Sequence, residues 1–346
     1  MMGCPTFSRR AALAALGAVA PLVVLPVSAS VATPYRARRN LMGTVIDITV
    51  ADGGQPGVAQ KVQAAFDAMQ RLEAMMSRFD PASPLSRLNQ AAGGQSLAVP
   101  REMLEVMQHG QALSRKTGGA FEPLLGRLTA QADRDVGPLD NAQIQRLLPH
   151  AHSSALHLDK RAGRARLTDA LARIDLGGVA KLPILQAGLD TLTRAGLRGS
   201  MINGGGDLLA SRRADGQPWR IGVRDGLQPD RLLAVVPLHE GIVASSGDYE
   251  RYLMVGDTRY HHIIDPKTGR PTAGIHGVTL VAETADQVNG LGTAAMVAGP
   301  TRASRSLQGW GAPDFIVMHS DRQVEIGSGL SRRLLPPPGQ QAIRRA

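Results

Sequence analysis

The 346-residue chain has one cysteine, few aromatic residues (3% of the total, two of them tryptophan) and five lysines against a much larger number of arginines. Cys4 precedes an apolar run, whereas a lipoprotein cysteine follows one, so a processed chain carries no thiol. That excludes disulfides and cysteine-ligated zinc. The formal net charge is +10, but the arginines are scattered, with Arg9 and Arg10 at one end and Arg332, Arg333, Arg344 and Arg345 at the other. A spread positive excess suits anionic ligands; without a basic stripe or interleaved aromatics it gives no support for nucleic acid. The dinucleotide fingerprint G-x-G-x-x-G and the P-loop pattern are both missing. No apolar stretch reaches the roughly 20 residues needed to span a bilayer.

The longest apolar run, AALAALGAVAPLVVLPV, is interrupted by Gly17, Pro21 and Pro26. It follows the twin arginine Arg9-Arg10 and precedes the small residues SASVA. Residues 1–32 therefore read as a Tat-type signal peptide cut near Ala29 to Ala32, which predicts a periplasmic protein with no stable membrane anchor. Beyond it, a chain that is 43% hydrophobic suffices for one domain over residues 33–330, followed by a basic, proline-rich tail at 331–346.

A basic connector from Tyr35 to Asn40 leads to LMGTVIDITVA, whose β-branched alternation predicts a strand. Val58, Val62, Phe66, Met69, Leu72 and Met76 recur at three- and four-residue steps and predict a helix from Val58 to Phe79. The segment SRFDPASPLSRLNQ reads as a turn-rich loop. Another helix runs from Pro100 to about Lys116, where Gly118 and Gly119 stop it. Gln131 to Arg166 lacks a period and reads as short helices and turns. A glycine turn then feeds a helix carrying Leu185, Leu189 and Leu192. Strands follow: GSMINGGGDLLAS, PWRIGVRD, RLLAVVPL, GIVASS and a hairpin with arms YERYLMV and RYHHIID. A last helix from Thr284 to about Val297 and a closing hairpin from Asp314 to Glu325 complete the pattern. Hairpins with inserted helices predict an α+β fold of mixed or antiparallel sheets with packed helices, not a doubly wound parallel sheet.

Four features could carry chemistry. Glycine turns at Gly118-Gly119, Gly177-Gly178 and Gly204-Gly205-Gly206 could admit a phosphate to backbone N–H groups, or simply be tight connections. Lys181, at a helix start, is placed to neutralise a diphosphate or to be solvated. In RYHHIIDPKTGRP, adjacent strand residues face opposite sides, so His261 and His262 do not share a metal. One of them is a candidate base, with Asp265 near enough in sequence to assist it, or an ordinary histidine bonded to backbone. Asn289 and Thr293, four apart, present oxygens that suit a hard cation such as magnesium, or else pack beside a close backbone contact.

Taken in order, MGT at Met42 to Thr44, SRFDPASPLSRLN, GGAFEPL, IDLGGVAK, INGGGD, SSGDYERY, HHIIDPKTGRP and NGLGTAAMVAG resemble the FAD:protein FMN transferase family, also called ApbE, over about Met42 to Val317. The resemblance implies a T-fold-related ApbE architecture and a reaction in which FAD is split with Mg²⁺ assistance. FMN passes to a Ser or Thr hydroxyl of a target protein by a phosphoester, and AMP leaves. Targets in the family are typically periplasm-facing flavoprotein subunits of membrane respiratory complexes. Carried over by position, Met42, Phe79, Ala120, Phe121, Glu122, Asp175, Lys181 and Ile263 line the FAD site. The Ala180 carbonyl with the Asn289 and Thr293 side chains holds Mg²⁺, and His262 takes the proton from the attacking hydroxyl.

This sequence departs from the family pattern at three places. Asn289 stands where aspartate is usual, which removes a negative charge from the metal site. Lys181 is followed by Leu182 and Pro183 instead of glycine, and Gln186 occupies a position where aspartate is expected. Two readings therefore stand beside an ordinary transferase. One is a transferase with a rearranged metal site drawing on Asp286. The other is a periplasmic FAD-binding accessory protein of the divergent NosX kind. FAD hydrolysis with water as nucleophile would use the same site.

Overall fold

A computed structural model describes residues 33–132, 137–226, 228, 230–249, 252–255 and 258–337. The expected signal peptide and residues 338–346 of the expected tail lie outside these, as does most of the turn of the YERYLMV hairpin. The first elements are strands Tyr35–Leu41 (β1) and Thr44–Val50 (β2), helices Val58–Met76 (α1) and Pro84–Gln90 (α2), and the two-residue strand Leu97–Ala98 (β3). Helices Arg101–Lys116 (α3), Gly126–Thr129 (α4) and Asn141–Leu147 (α5) follow, then strands Leu156–Asp159 (β4) and Arg164–Leu167 (β5) and helix Lys181–Arg194 (α6). A run of strands comes next: Ser200–Gly204 (β6), Asp207–Ala210 (β7), Trp219–Arg224 (β8), Leu232–Leu238 (β9), Gly241–Gly247 (β10), Tyr252–Val255 (β11), Thr258–His261 (β12) and Ile275–Ala282 (β13). Helices Leu291–Ala298 (α7) and Ala303–Gly309 (α8), strands Phe315–His319 (β14) and Val324–Ile326 (β15), and the short helix Ser328–Ser331 (α9) end the described chain.

The centre is an eight-stranded sheet in the order β1-β2-β6-β7-β10-β13-β14-β15, with every neighbouring pair antiparallel. Both faces are covered, and successive residues along the strands divide between them. Ile202, Leu209, Ile242 and Val317 join the cluster that holds α1 and α6. Their neighbours Met201, Leu208, Val243 and Ile316 join the one that holds Trp219, Ile221 and Val236 of the β8–β9 hairpin. The result is three layers, helices on one side and a hairpin on the other, as the α+β expectation requires. Each fully buried aliphatic side chain contributes about 1.5–3 kcal/mol of transfer free energy, so the period-two division stabilises both interfaces from the same strands.

Several local expectations are corrected. The basic connector is a strand: Tyr35 to Leu41 pair residue for residue with Val50 to Thr44, around a two-residue loop in which Met42 and Gly43 both have positive φ (55° and 67°). Arg36 and Arg38 line the solvent side, while Arg39 lies over the Phe66 ring of α1 at 4.7 Å, so a charged residue on each face hid the alternation. The loop before Leu97 contains α2. Ser83 caps it by accepting the Ser86 amide, Pro84 sets its first turn, and Leu85 and Leu88 are its buried stripe. The unperiodic middle holds the β4–β5 hairpin. The helix expected from Thr284 begins only at Leu291 and is followed by α8, because Gly290, with φ 79°, breaks the chain direction. A Cβ at Gly290 would lie 2.4 Å from Leu113. The tail starts later than residue 331, since Leu335 and Val235 exchange two backbone hydrogen bonds of 2.9 Å that extend the hairpin layer. No helix among the described residues is long and apolar enough to cross a membrane.

Candidate active site

At one end of α6, a cavity of about 450 Å³ opens between the α1–α2 loop, the segment after α3, and the turn that precedes α7. That volume is within the usual range for a small-molecule site. The cavity is lined by Met42, Phe79, Ala120, Phe121, Glu122, Asp175, Ala180, Lys181, His262, Ile263, Asn289 and Thr293, so every residue that the family resemblance assigned to the site reaches the same space.

Three walls are built by identifiable local chemistry. The β1–β2 loop places Met42 in the left-handed region, and its backbone N–H donates to Glu73 Oε1 at 2.5 Å, which fixes the loop to α1. Asp175 accepts the Gly177 N–H at 2.8 Å and the Thr129 hydroxyl at 2.7 Å, and its Oδ2 lies 3.3 Å from Arg78 Nε. The Arg78 guanidinium also sits 4.3 Å from the ring of Phe79, which is 68% exposed at the rim. Glu122 is buried; burial raises its carboxyl above the ordinary range, against hydrogen bonds from the Leu124 N–H at 3.0 Å and the Ser114 hydroxyl at 3.3 Å.

Lys181 opens α6, where the helix dipole adds to its charge. Its Nζ lies 3.2 Å from Asp207 Oδ2. Pro183 falls in the first turn, where the ring is tolerated. Gln186 points away from the cavity and donates to Asp190 Oδ1 at 2.7 Å.

The histidine pair is split between two environments. His261 is 3% exposed, with Nε2 2.8 Å from the Thr272 carbonyl and Nδ1 3.3 Å from the Ile263 N–H. An amide can only donate and a carbonyl only accept, so these partners fix the Nε2–H tautomer. His262 is half-buried and lines the cavity. Asp265 does not assist it: its carboxylate accepts the Lys267 N–H at 2.9 Å and organises the DPKTG turn.

Asn289 is buried, just before the first turn of α7, and Thr293 lies in that turn. The Asn289 amide N–H donates to the Val179 carbonyl at 2.9 Å. Its Oδ1 and the Thr293 hydroxyl have no hydrogen-bond partner among the described residues, yet both residues line the cavity beside Ala180. Two unclaimed oxygens and a backbone carbonyl fit a hard cation in donor type, although all three are neutral. Asp286 is exposed and absent from the cavity wall, so it does not replace the missing charge.

The glycine turns separate by role. Gly177 and Gly178 line the cavity. Gly118-Gly119 and Gly204-Gly205-Gly206 do not; at Gly205, with φ 60°, a Cβ would meet Thr44 Oγ1 at 2.5 Å, so close packing explains that glycine. Reasoning from sequence missed Glu73, Arg78, Thr129, Asp207 and His109. Arg78 and Asp207 lie inside SRFD and INGGGD, where they could have been found. Glu73, His109 and Thr129 act through contacts distant in sequence and carry no local mark.

Residues 42–313 match the sequence model of the ApbE family. The chain is 28% identical over 298 residues to the FAD:protein FMN transferase of Treponema pallidum, covering 79% of this chain and 81% of that protein. It is 28% identical over 292 residues to the FAD:protein FMN transferase of Vibrio cholerae, covering 81% and 86%. The crystal structure of the ApbE protein from Thermotoga maritima has a TM-score of 0.80 at 27% identity, over 87% of this chain and 99% of that one. The flavin transferase ApbE from Vibrio cholerae shares the fold with a TM-score of 0.75 at 24% identity, over 87% and 99%.

Proposed function

Because this chain belongs to the ApbE family, we propose that it is a FAD:protein FMN transferase whose acceptor is a periplasmic flavoprotein domain of a membrane respiratory complex. The observation that carries the reading is a single cavity shared by a cationic side chain at a helix start, a histidine, and two unpartnered oxygens. Lys181 and the positive end of α6 neutralise the FAD diphosphate. A Ser or Thr hydroxyl of the acceptor attacks the flavin-side phosphorus while His262 takes the hydroxyl proton. The bond from that phosphorus to the bridging oxygen breaks, AMP leaves with the electron pair, and FMN remains on the acceptor as a phosphoester. Mg²⁺, held by the Ala180 carbonyl, Asn289 Oδ1 and Thr293 Oγ1, would offset charge on the phosphoryl oxygens. Phe79, Met42 and Ile263 supply apolar contact for the ligand's rings, and the buried Glu122 and Asp175 supply polar contacts.

The test combines purified protein, FAD, Mg²⁺ and an acceptor domain, followed by denaturing electrophoresis and in-gel flavin fluorescence. Fluorescence retained on the acceptor, with AMP released in equal amount, supports the transferase. AMP without labelled acceptor indicates FAD hydrolysis. The neutral Asn289 favours a second reading, a flavin-binding accessory protein. Bound FAD with neither AMP nor labelled acceptor, together with activity gained by Asn289→Asp, would establish it.

A further inference from the structure

The hydrogen bond from Asn289 joins two segments far apart in sequence. On one side is the turn before α6, where the Val179 and Ala180 N–H groups both donate to the Leu176 carbonyl, at 2.9 and 2.8 Å. On the other is the approach to α7, where the Asn289 N–H donates to the Ala285 carbonyl at 2.8 Å and the Asn289 carbonyl lies 3.1 Å from His109 Nε2. The side-chain amide bridges them at 2.9 Å, and because a carbonyl can only accept, the nitrogen must face Val179. Asn289 is 4% exposed, so this bond is sheltered from water.

A carboxylate at residue 289 could not make this bond. It would set an anionic oxygen against the Val179 carbonyl, and the two would repel unless a cation lay between them. The amide of this chain joins turn and helix by a direct hydrogen bond that needs no ion between them. The other carboxyl groups on the wall already have donors: Glu122 has the Leu124 N–H and the Ser114 hydroxyl, and Glu73 has the Met42 N–H. Asp207 is engaged by Lys181 and by the Ser245 N–H at 3.1 Å, and Asp175 by Thr129, Gly177 and Arg78. Among the described residues, no group of three or more His, Cys, Asp or Glu could hold a metal ion. Mg²⁺ sheds its water reluctantly and is ordinarily held by carboxylates together with substrate phosphates.

We infer that Asn289 replaces a resident cation as the tie between the α6 turn and α7, so that this chain has no standing Mg²⁺ site and acquires the ion only together with the diphosphate of its ligand. The second half rests on the flavin-transferase reading; the first does not. The test uses the full chain dialysed against EDTA, with thermal unfolding and Mg²⁺ calorimetry run with and without FAD, on the native protein, Asn289→Asp and Asn289→Ala. The native protein should show no Mg²⁺ heat and no thermal shift at millimolar Mg²⁺ without FAD, and Mg²⁺ binding should emerge once FAD is present. In EDTA, Asn289→Asp should melt roughly 3–8 °C lower, and Mg²⁺ alone should restore it. Asn289→Ala should fall similarly and gain nothing from Mg²⁺. Saturable Mg²⁺ binding by the FAD-free native protein would overturn the inference, as would an Asn289→Asp protein as stable in EDTA as the native one. If FAD fails to bind, the recruitment half falls together with the flavin reading, while the flavin-free arms still decide whether the amide is the tie.

Discussion

Lys181 Nζ lies 3.2 Å from Asp207 Oδ2, and the other oxygen of that carboxylate accepts the Ser245 N–H at 3.1 Å. The lysine is therefore held over the cavity by a carboxylate anchored to the central sheet. Lys181→Ala should weaken FAD binding about ten- to a hundredfold, the scale of a lost hydrogen bond to a charged group. It should also lower stability by leaving Asp207 unpaired. Adding Asp207→Asn should recover the stability and leave the affinity low. Flavin-fluorescence titration and thermal melts on the two variants separate these effects, and unchanged affinity in Lys181→Ala would remove that lysine from the diphosphate site.

The two histidines should fail differently. His262→Ala should abolish transfer with FAD affinity within about twofold of native, because a proton acceptor contributes to the step more than to ground-state binding. His261→Ala should spare transfer by the folded protein but cost stability. That variant leaves the half-buried Thr272 carbonyl without its donor and the N–H of buried Ile263 without its acceptor, and should cost about 1–3 kcal/mol of stability, while folded protein keeps its turnover. Denaturant melts beside transfer rates decide it.

Gly205→Ala should destabilise the fold without touching the cavity. A left-handed φ of 60° costs a side chain about 1–2 kcal/mol, and the added Cβ also meets Thr44 Oγ1 at 2.5 Å. Urea unfolding should show a lower midpoint with an unchanged slope, whereas FAD affinity of the folded fraction stays at the native value.

Glu122 gives a pH signature. Burial raises its carboxyl in the folded state above its unfolded value, so between those values the unfolded chain binds fewer protons and stability falls as pH rises. Glu122→Gln should remove that fall. The variant should therefore gain on the native protein as pH climbs above the ordinary carboxylate range, with the difference shrinking in acid. Thermal melts across the acid to neutral range measure it, and parallel curves would place the carboxyl in a more solvated setting than the structure gives it.

Where the physics is local, the sequence carried the fold. The apolar spacing from Val58 to Met76 marks α1, the alternation of Ile46, Ile48 and Val50 marks β2, and the INGGGDLL stretch marks the β6–β7 hairpin. Errors arose where a pattern was masked or tertiary contacts decided. β1 is an edge strand whose arginines, on both faces, conceal its alternation. α2 is too short to show a period, and α7 starts late because Gly290 fits against Leu113. The residues around the cavity were legible as motifs in order, since none of them is adjacent in sequence to most of the others. Glu73 and His109 were not legible, because each does its work on a backbone group of a distant segment, Met42 in one case and Asn289 in the other.

The pairing of β2 with β6 has a further consequence, for biogenesis. Ile46 meets Gly204 across that pair, so the β1–β2 hairpin leaves the ribosome long before its partner strand exists. At about 5–20 residues per second, the wait is roughly ten to thirty seconds, during which Ile46, Ile48 and Val50 have no sheet to join. Part of the α1 stripe is uncovered over the same interval, since α6 is also still to come. A newly made chain therefore keeps these apolar faces open until about residue 210 has emerged, and only then can the sheet close and bring Met42 and Lys181 to the same cavity.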